Sequence, residues 1–272
     1  MNKIFSLKRF GKYFLYDLGC AKNNFLLTLL ILAFLPEMCF AFGSLLGLVF
    51  GFSSQSFLLS MRYSALVGGL IAVALIFSSK VYGRITVKRY GSDWLLIPAS
   101  TFEKWLSMVL VTCVVLPAVY FTLNLGGDML MCTLFPKTYG EMIDLSSITD
   151  TVGVNSDSGI YLNLPLASWL GWCENILIFT LGALIFKKNK VGKTILAYFA
   201  VIMLISAMIA LGFGSITFQF DGSSYQAAFE KMAGTDPQQI MSMLNAFINI
   251  TYFVIFTLLL GGLYLRIRNI KH

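Results

Sequence analysis

Apolar runs close to twenty residues long recur along the whole of this 272-residue chain, and they decide what it can become. About 20 apolar residues of helix cover the hydrocarbon core of a bilayer, whereas a water-soluble domain needs far more polar surface. The chain is 57% hydrophobic and only 12% charged, with a mean hydropathy of +0.78. Soluble domains carry about 25% charged residues, so the composition predicts an all-α polytopic membrane protein, a single transmembrane domain over residues 1–272. Six segments are apolar enough to span: 25–50, 63–79, 105–125, 162–186, 194–216 and 246–265. Pro36 and Glu37 interrupt the first and Pro117 lies inside the third, where a proline predicts a kink.

The segments between the spans have their own chemistry. In residues 1–24, Ile4, Leu7, Phe14, Leu15 and Leu18 fall near one helical face and Lys8, Arg9 and Lys12 on another. That pattern predicts an interfacial amphipathic helix, its apolar side in the headgroups and its cations toward anionic lipid. A charged lead of this length exceeds the n-region of a signal peptide, so we expect it to be retained. Residues 126–161 form an acidic loop, with Asp128, Glu141, Asp144, Asp150 and Asp157 against Lys137, and 129–135 is apolar enough to touch the membrane surface. Residues 225–233 have helical composition and end at Gly234. Asp236, Pro237 and Gln239 then supply an N-cap, a first-position proline and a capping-box partner, so a helix-turn-helix is predicted before span six.

The cations fix the expected topology. Seventeen of the twenty Lys and Arg residues lie in the N-terminal segment, the connector between spans two and three, the turn after span four, and the tail. Only Arg62, Lys137 and Lys231 lie on the other side. This predicts a multi-pass protein of the cell (inner) membrane with both termini cytoplasmic, and the helix-turn-helix outside. It also assigns the net charge of +7 to one leaflet, and no nucleic-acid partner is expected. Five cysteines without a CxxC pair, and a lone histidine at His272, leave no disulfide framework, metal set or catalytic constellation to expect. Nothing resembles GxxxxGK[ST], so an ATP-driven role needs a separate subunit.

The connector, 84–106, joins charged Lys88, Arg89, Asp93, Glu103 and Lys104 to an apolar patch at 94–97. Pro98 predicts extended backbone at Ile97, and Ser100 with Glu103 three residues on predicts a capping box that restarts a helix. Two readings fit: a basic loop with a good helix start, or a mixed-charge face, Arg89 and Lys104 with Asp93 and Glu103, that binds another protein.

This layout resembles the permease subunits of ATP-binding-cassette exporters of the type-2 permease family. The shared features are the basic amphipathic N-terminal helix, six spans with both ends inside, the connector LLIPASTFEKWLS (Leu95 to Ser107), and the broken excursion before the last span. The resemblance implies a cytoplasmic coupling helix in the connector that docks on an ATPase subunit. Arg89, Leu96, Pro98, Ser100, Glu103 and Lys104 carry that role over, with Asp93 and Trp94 in the same patch. It further implies no cofactor on this chain, ATP and Mg on the partner ATPase, and a second permease subunit, identical or not, completing the pathway.

Glu37 and Glu174 fall at the midpoints of spans one and four, and Asn175 follows the second. An acid at that depth costs about 2.5 to 3.5 kcal/mol on insertion scales and normally faces a cavity or a partner. No Lys or Arg within the predicted spans pairs with either. Each is therefore a packing hydrogen bond, at Glu37 one that caps backbone opened by Pro36, or part of a translocation pathway. Two other functions stay open beside the exporter permease: an ion-coupled secondary transporter, and a membrane scaffold or immunity subunit.

Overall fold

In a computed structural model of the chain, residues 5–51, 55–140, 142–143, 152–153, 161–162, 165–217 and 237–270 are described. Helices dominate: α1 (Leu7–Ala33), α2 (Leu35–Phe50), α3 (Gln55–Lys80), α4 (Lys88–Leu96), α5 (Thr101–Leu110), α6 (Leu116–Leu134), the single turn α7 (Pro136–Tyr139), α8 (Pro165–Ile185), α9 (Lys190–Thr217) and α10 (Pro237–Arg268). A 3₁₀ turn, Tyr82–Thr86, links α3 to α4. The described exception to helix is one antiparallel pair of two-residue strands, β1 (Val152–Gly153) and β2 (Tyr161–Leu162). Four stretches are long and apolar enough to cross a membrane: Leu7–Phe50, Phe57–Thr86, Thr101–Leu134 and Ile248–Arg268.

Several boundaries differ from those predicted. The N-terminal segment is not a separate interfacial helix ending near Asn24, because α1 runs unbroken from Leu7 to Ala33. The chain bends at Phe34, where Pro36 supplies no N–H and its ring crowds the carbonyl four residues back. What holds α1 together across the predicted boundary is burial of Tyr13, Asp17, Phe25 and Leu29 along one face. Helix three is likewise longer than 105–125: α5, a wide π turn at Val111–Val115 and α6 form one 34-residue rod. The π turn precedes Pro117 and absorbs the hydrogen bond that proline cannot make. Residues 126–134 continue α6, so they neither open a loop nor dip back, and Met129, Leu130 and Leu134 point outward.

Glu141, Asp144, Asp150 and Asp157 of the acidic loop lie outside the described residues, as does the first helix of the excursion, 225–233. Its second helix begins at Pro237 and continues as α10, as the proline signal predicts.

The core sits among α1, α3, α5, the π turn, α6 and α8, with Phe25, Phe77, Met108, Tyr120, Ile176 and Leu177 buried together. Phe25 meets Phe77 edge-on at 5.1 Å. Four basic segments gather at one end. Arg9 reaches Glu103 of the connector, Lys190 donates to Gly83 and Thr86, and Arg266 donates to the Leu184 carbonyl.

Candidate functional site

The connector is a broken helix clamped to the N-terminal one. Ile97 before Pro98 is extended (φ −62°, ψ 124°), and so is Ser100 (φ −69°, ψ 156°). Ser100 Oγ accepts from Glu103 N at 3.2 Å and Glu103 Oε2 accepts from Ser100 N at 2.8 Å, which completes the capping box. The same carboxylate takes two bonds from the Arg9 guanidinium, both at 2.7 Å, and one from Ser6 N at 2.9 Å. Glu103 is 0% exposed.

Lys104 is buried too, donating to the Trp94 carbonyl at 2.7 Å and lying 4.4 Å above that indole ring. Trp94 Nε1 donates to Tyr13 Oη at 3.0 Å. One layer deeper, Oδ2 of buried Asp17 accepts from Tyr82 at 3.1 Å and from Ser107 at 2.7 Å.

The expected mixed-charge face is therefore corrected. Glu103 pairs with Arg9 and Lys104 with a backbone carbonyl, so both are internal fasteners. Asp93, Leu95, Leu96 and Pro98 face outward, Leu96 being 80% exposed, while Trp94 is half-buried. The side chain of Arg89 lies outside the described ones. Beside this face runs a cleft of about 640 Å³ between the connector (Leu95, Ser100, Phe102) and the end of α10 (Tyr264, Ile267, Arg268).

A second polar cluster lies where α2, α3, α6 and α7 meet. Arg62, 1% exposed, donates to Asp128 Oδ1 at 2.6 Å and to the Tyr139 carbonyl at 3.1 Å, with its guanidinium 3.9 Å above the Tyr139 ring. Tyr139 Oη and Ile143 N complete the shell of Asp128 at 2.6 and 2.7 Å. Arg62 and Asp128 were expected in loops; both are helical and buried because each neutralises the other.

Glu37 lies beside this pair, over Gly127. At the break made by Pro36, Asn124 Nδ2 bonds the opened Ala33 carbonyl at 2.9 Å, and the Glu37 carboxyl lies beside its own backbone N–H. No other described residue donates a hydrogen bond to the Glu37 carboxyl. Glu174, 8% exposed on α8, has an unpartnered Oε1. Asn175 is exposed and turns back on its own helix, donating to the Gly171 carbonyl at 2.7 Å, so it does not join Glu174.

Arg9, Asp17, Arg62, Asn124 and Asp128 were missed as site residues. Apart from those of Asp128 with Tyr139 and Ile143, the bonds that place them link residues 65 or more positions apart, as with Asp17 to Tyr82 and Arg62 to Asp128. The one usable signal was an isolated cation, Arg62, and an isolated acid, Asp128, each at the margin of an apolar run. No group of His, Cys, Asp and Glu among the described residues is arranged to hold a metal. No protein family, no characterised protein and no solved structure matches the chain.

Proposed function

We propose that the chain is the transmembrane permease subunit of an ATP-driven exporter, six spans with both termini cytoplasmic, supplying half of a translocation pathway. A second permease subunit supplies the other half, and a separate ATPase subunit holds ATP and Mg. Beyond the four long apolar stretches, α8 (21 residues) and α9 (28 residues) have the length to serve as the other two spans. The end where the basic segments gather is read as cytoplasmic, in keeping with the positive-inside rule.

One observation carries this reading: an amphipathic connector held firmly from behind with an apolar tip left outside. Arg9, Glu103, Lys104 and Trp94 fix its inner side, while Leu95 and Leu96 are exposed next to the cleft under α10. A protein surface that transmits force needs both properties. Leu96, Pro98 and Asp93 are the contact residues in this reading, with Arg89 on the same helix; Ser100, Glu103, Lys104 and Trp94 position them. Glu37 and Glu174 are candidates to face the pathway.

The test is purification of the chain in detergent from its native membrane, with ATPase activity as the readout. We expect an ATPase to accompany the parent and to be lost from Leu96→Asp while the variant stays inserted and folded. Absence of any ATPase from the parent preparation would remove the exporter reading. The buried carboxyl of Glu37 favours a second reading, an ion-coupled carrier, in which flux follows an ion gradient and is indifferent to ATP.

A further inference from the structure

A further cleft, of about 280 Å³, runs between α1 and the rod formed by α5, the π turn and α6. Phe25, Leu29 and Phe77 make its floor, each at most 6% exposed, and Val111, Val115 and Leu116 its far wall. The wide turn sets that wall, since Val111 and Val115 are its first and last residues and Leu116 follows at once. Leu26 and Val119, both exposed, stand at the open rim. On α1 the lining runs from Leu18 to Leu29, about 16 Å at 1.5 Å per residue. Both walls belong to stretches apolar enough to cross a membrane, so the rim meets hydrocarbon along most of its length.

One lining residue is polar. Lys22 stands at the end of the cleft nearer the basic segments, and it is exposed. The cations of the neighbouring helix are committed on another face of α1, where Lys80 donates to Thr28 Oγ1 at 3.0 Å and Arg84 to Asn24. Among the described residues the ion pairs are Arg9 with Glu103 and Arg62 with Asp128, so no carboxylate there neutralises Lys22. The lining therefore suits two chemistries at once: an anion at Lys22 and a long, thin apolar body below it. A helix, about 10–12 Å across with its side chains, is too broad to enter.

We propose that this cleft is a binding site for one anionic phospholipid, with an acyl chain along Phe25 and Leu29 and the phosphate at Lys22. Lysine suits that place because its stem lies along apolar surface while the ammonium reaches the headgroup level. A zwitterionic phospholipid carries its own cation beside the phosphate and gains less from Lys22. Free phosphate would leave the apolar lining empty. Once filled, the cleft ties α1 to the π turn through the bound chain. The assignment needs only that the chain lies in a membrane, and it stands apart from the exporter reading.

Native mass spectrometry of the purified full chain, presented with equal amounts of dioleoyl phosphatidylglycerol and dioleoyl phosphatidylcholine, reads occupancy and headgroup together. We expect one retained phosphatidylglycerol per chain, preferred about fivefold, the discrimination that one lysine provides at a membrane surface. Lys22→Gln should bring the ratio close to one. Lys8→Gln and Lys12→Gln remove exposed cations that do not line the cleft, and should leave it unchanged. Val115→Phe should displace both lipids, and glycerol phosphate without acyl chains should displace neither. No retained lipid, or equal retention of the two by the parent, overturns the proposal. So does a ratio unmoved in Lys22→Gln or lowered equally by Lys8→Gln, which would mark a diffuse surface charge. A second copy of the chain in place of lipid, seen as a dimer that Val115→Phe separates, overturns it too. Should Val115→Phe not fold, the Lys22→Gln ratio decides, because that side chain is exposed and its replacement leaves the packing intact.

Discussion

Glu103 and Glu37 are both buried glutamates, at 0% and 7% exposure, each in the first turn of a helix that follows a proline break. Their surroundings are opposite. Glu103 accepts from Ser6 N, Ser100 N and twice from Arg9, so both oxygens are saturated. Glu37 receives no hydrogen bond from any other described residue. A saturated buried carboxylate has one arrangement and makes a rigid joint, whereas a starved one changes state when a proton or cation arrives. In the permease we propose, the two sites divide the work accordingly. The connector end is suited to transmit motion, and the α2–α6 seam to respond to what binds it.

The largest effect should come from the ion pair beside that seam. Asp128→Ala strands the Arg62 guanidinium at 1% exposure, and breaking a buried pair from one side costs about 3 to 5 kcal/mol. Replacing both partners, Arg62→Met with Asp128→Leu, should recover most of that loss. Thermal unfolding in detergent checks it, and a single variant no less stable than the double would show that the pair is not holding α3 to α6.

Next comes the same substitution at the two glutamates. Glu103→Gln keeps the shape but removes the charge that Arg9 and Ser6 N address, and should cost about 2 kcal/mol, within the range for hydrogen bonds to charged groups. Glu37→Gln removes an ionisable group from a buried seam where no other described residue donates to it, and should be neutral or stabilising at neutral pH. Equal losses at both sites would erase the distinction between them.

Local signals were legible in the sequence; long-range pairings were not. Pro98 with Ser100 and Glu103 announced the break and the capping box, because both act within four residues. Pro36 announced the bend, and Glu37 declared itself as an acid in an apolar run. What the acid packs against was hidden, since Gly127 comes about ninety residues later. The same blindness misassigned Arg62 and Asp128 to loops: a charge at the edge of an apolar run looks solvated until its counterion is known. It also split α1 near Asn24, where buried Asp17 reads as a surface residue until Tyr82 and Ser107 are placed around it.

The smallest effect sharpens the comparison most. Asp is ordinarily as good an N-cap as Ser, and loss of a cap costs about 1 kcal/mol. At residue 100, however, the cap shares its space with Glu103, whose charge is already matched by Arg9. Ser100→Asp would set a second carboxylate against that balanced pair, so it should be no better than Ser100→Ala, while Ser100→Thr should be nearly neutral. The deficit of Ser100→Asp should shrink as salt rises, because part of it is repulsion at a half-buried position. Thermal unfolding of the three variants at low and high salt measures this. If Ser100→Asp matches the parent at low salt, Glu103 is not as fully committed to Arg9 as its geometry indicates, and the contrast with Glu37 narrows accordingly.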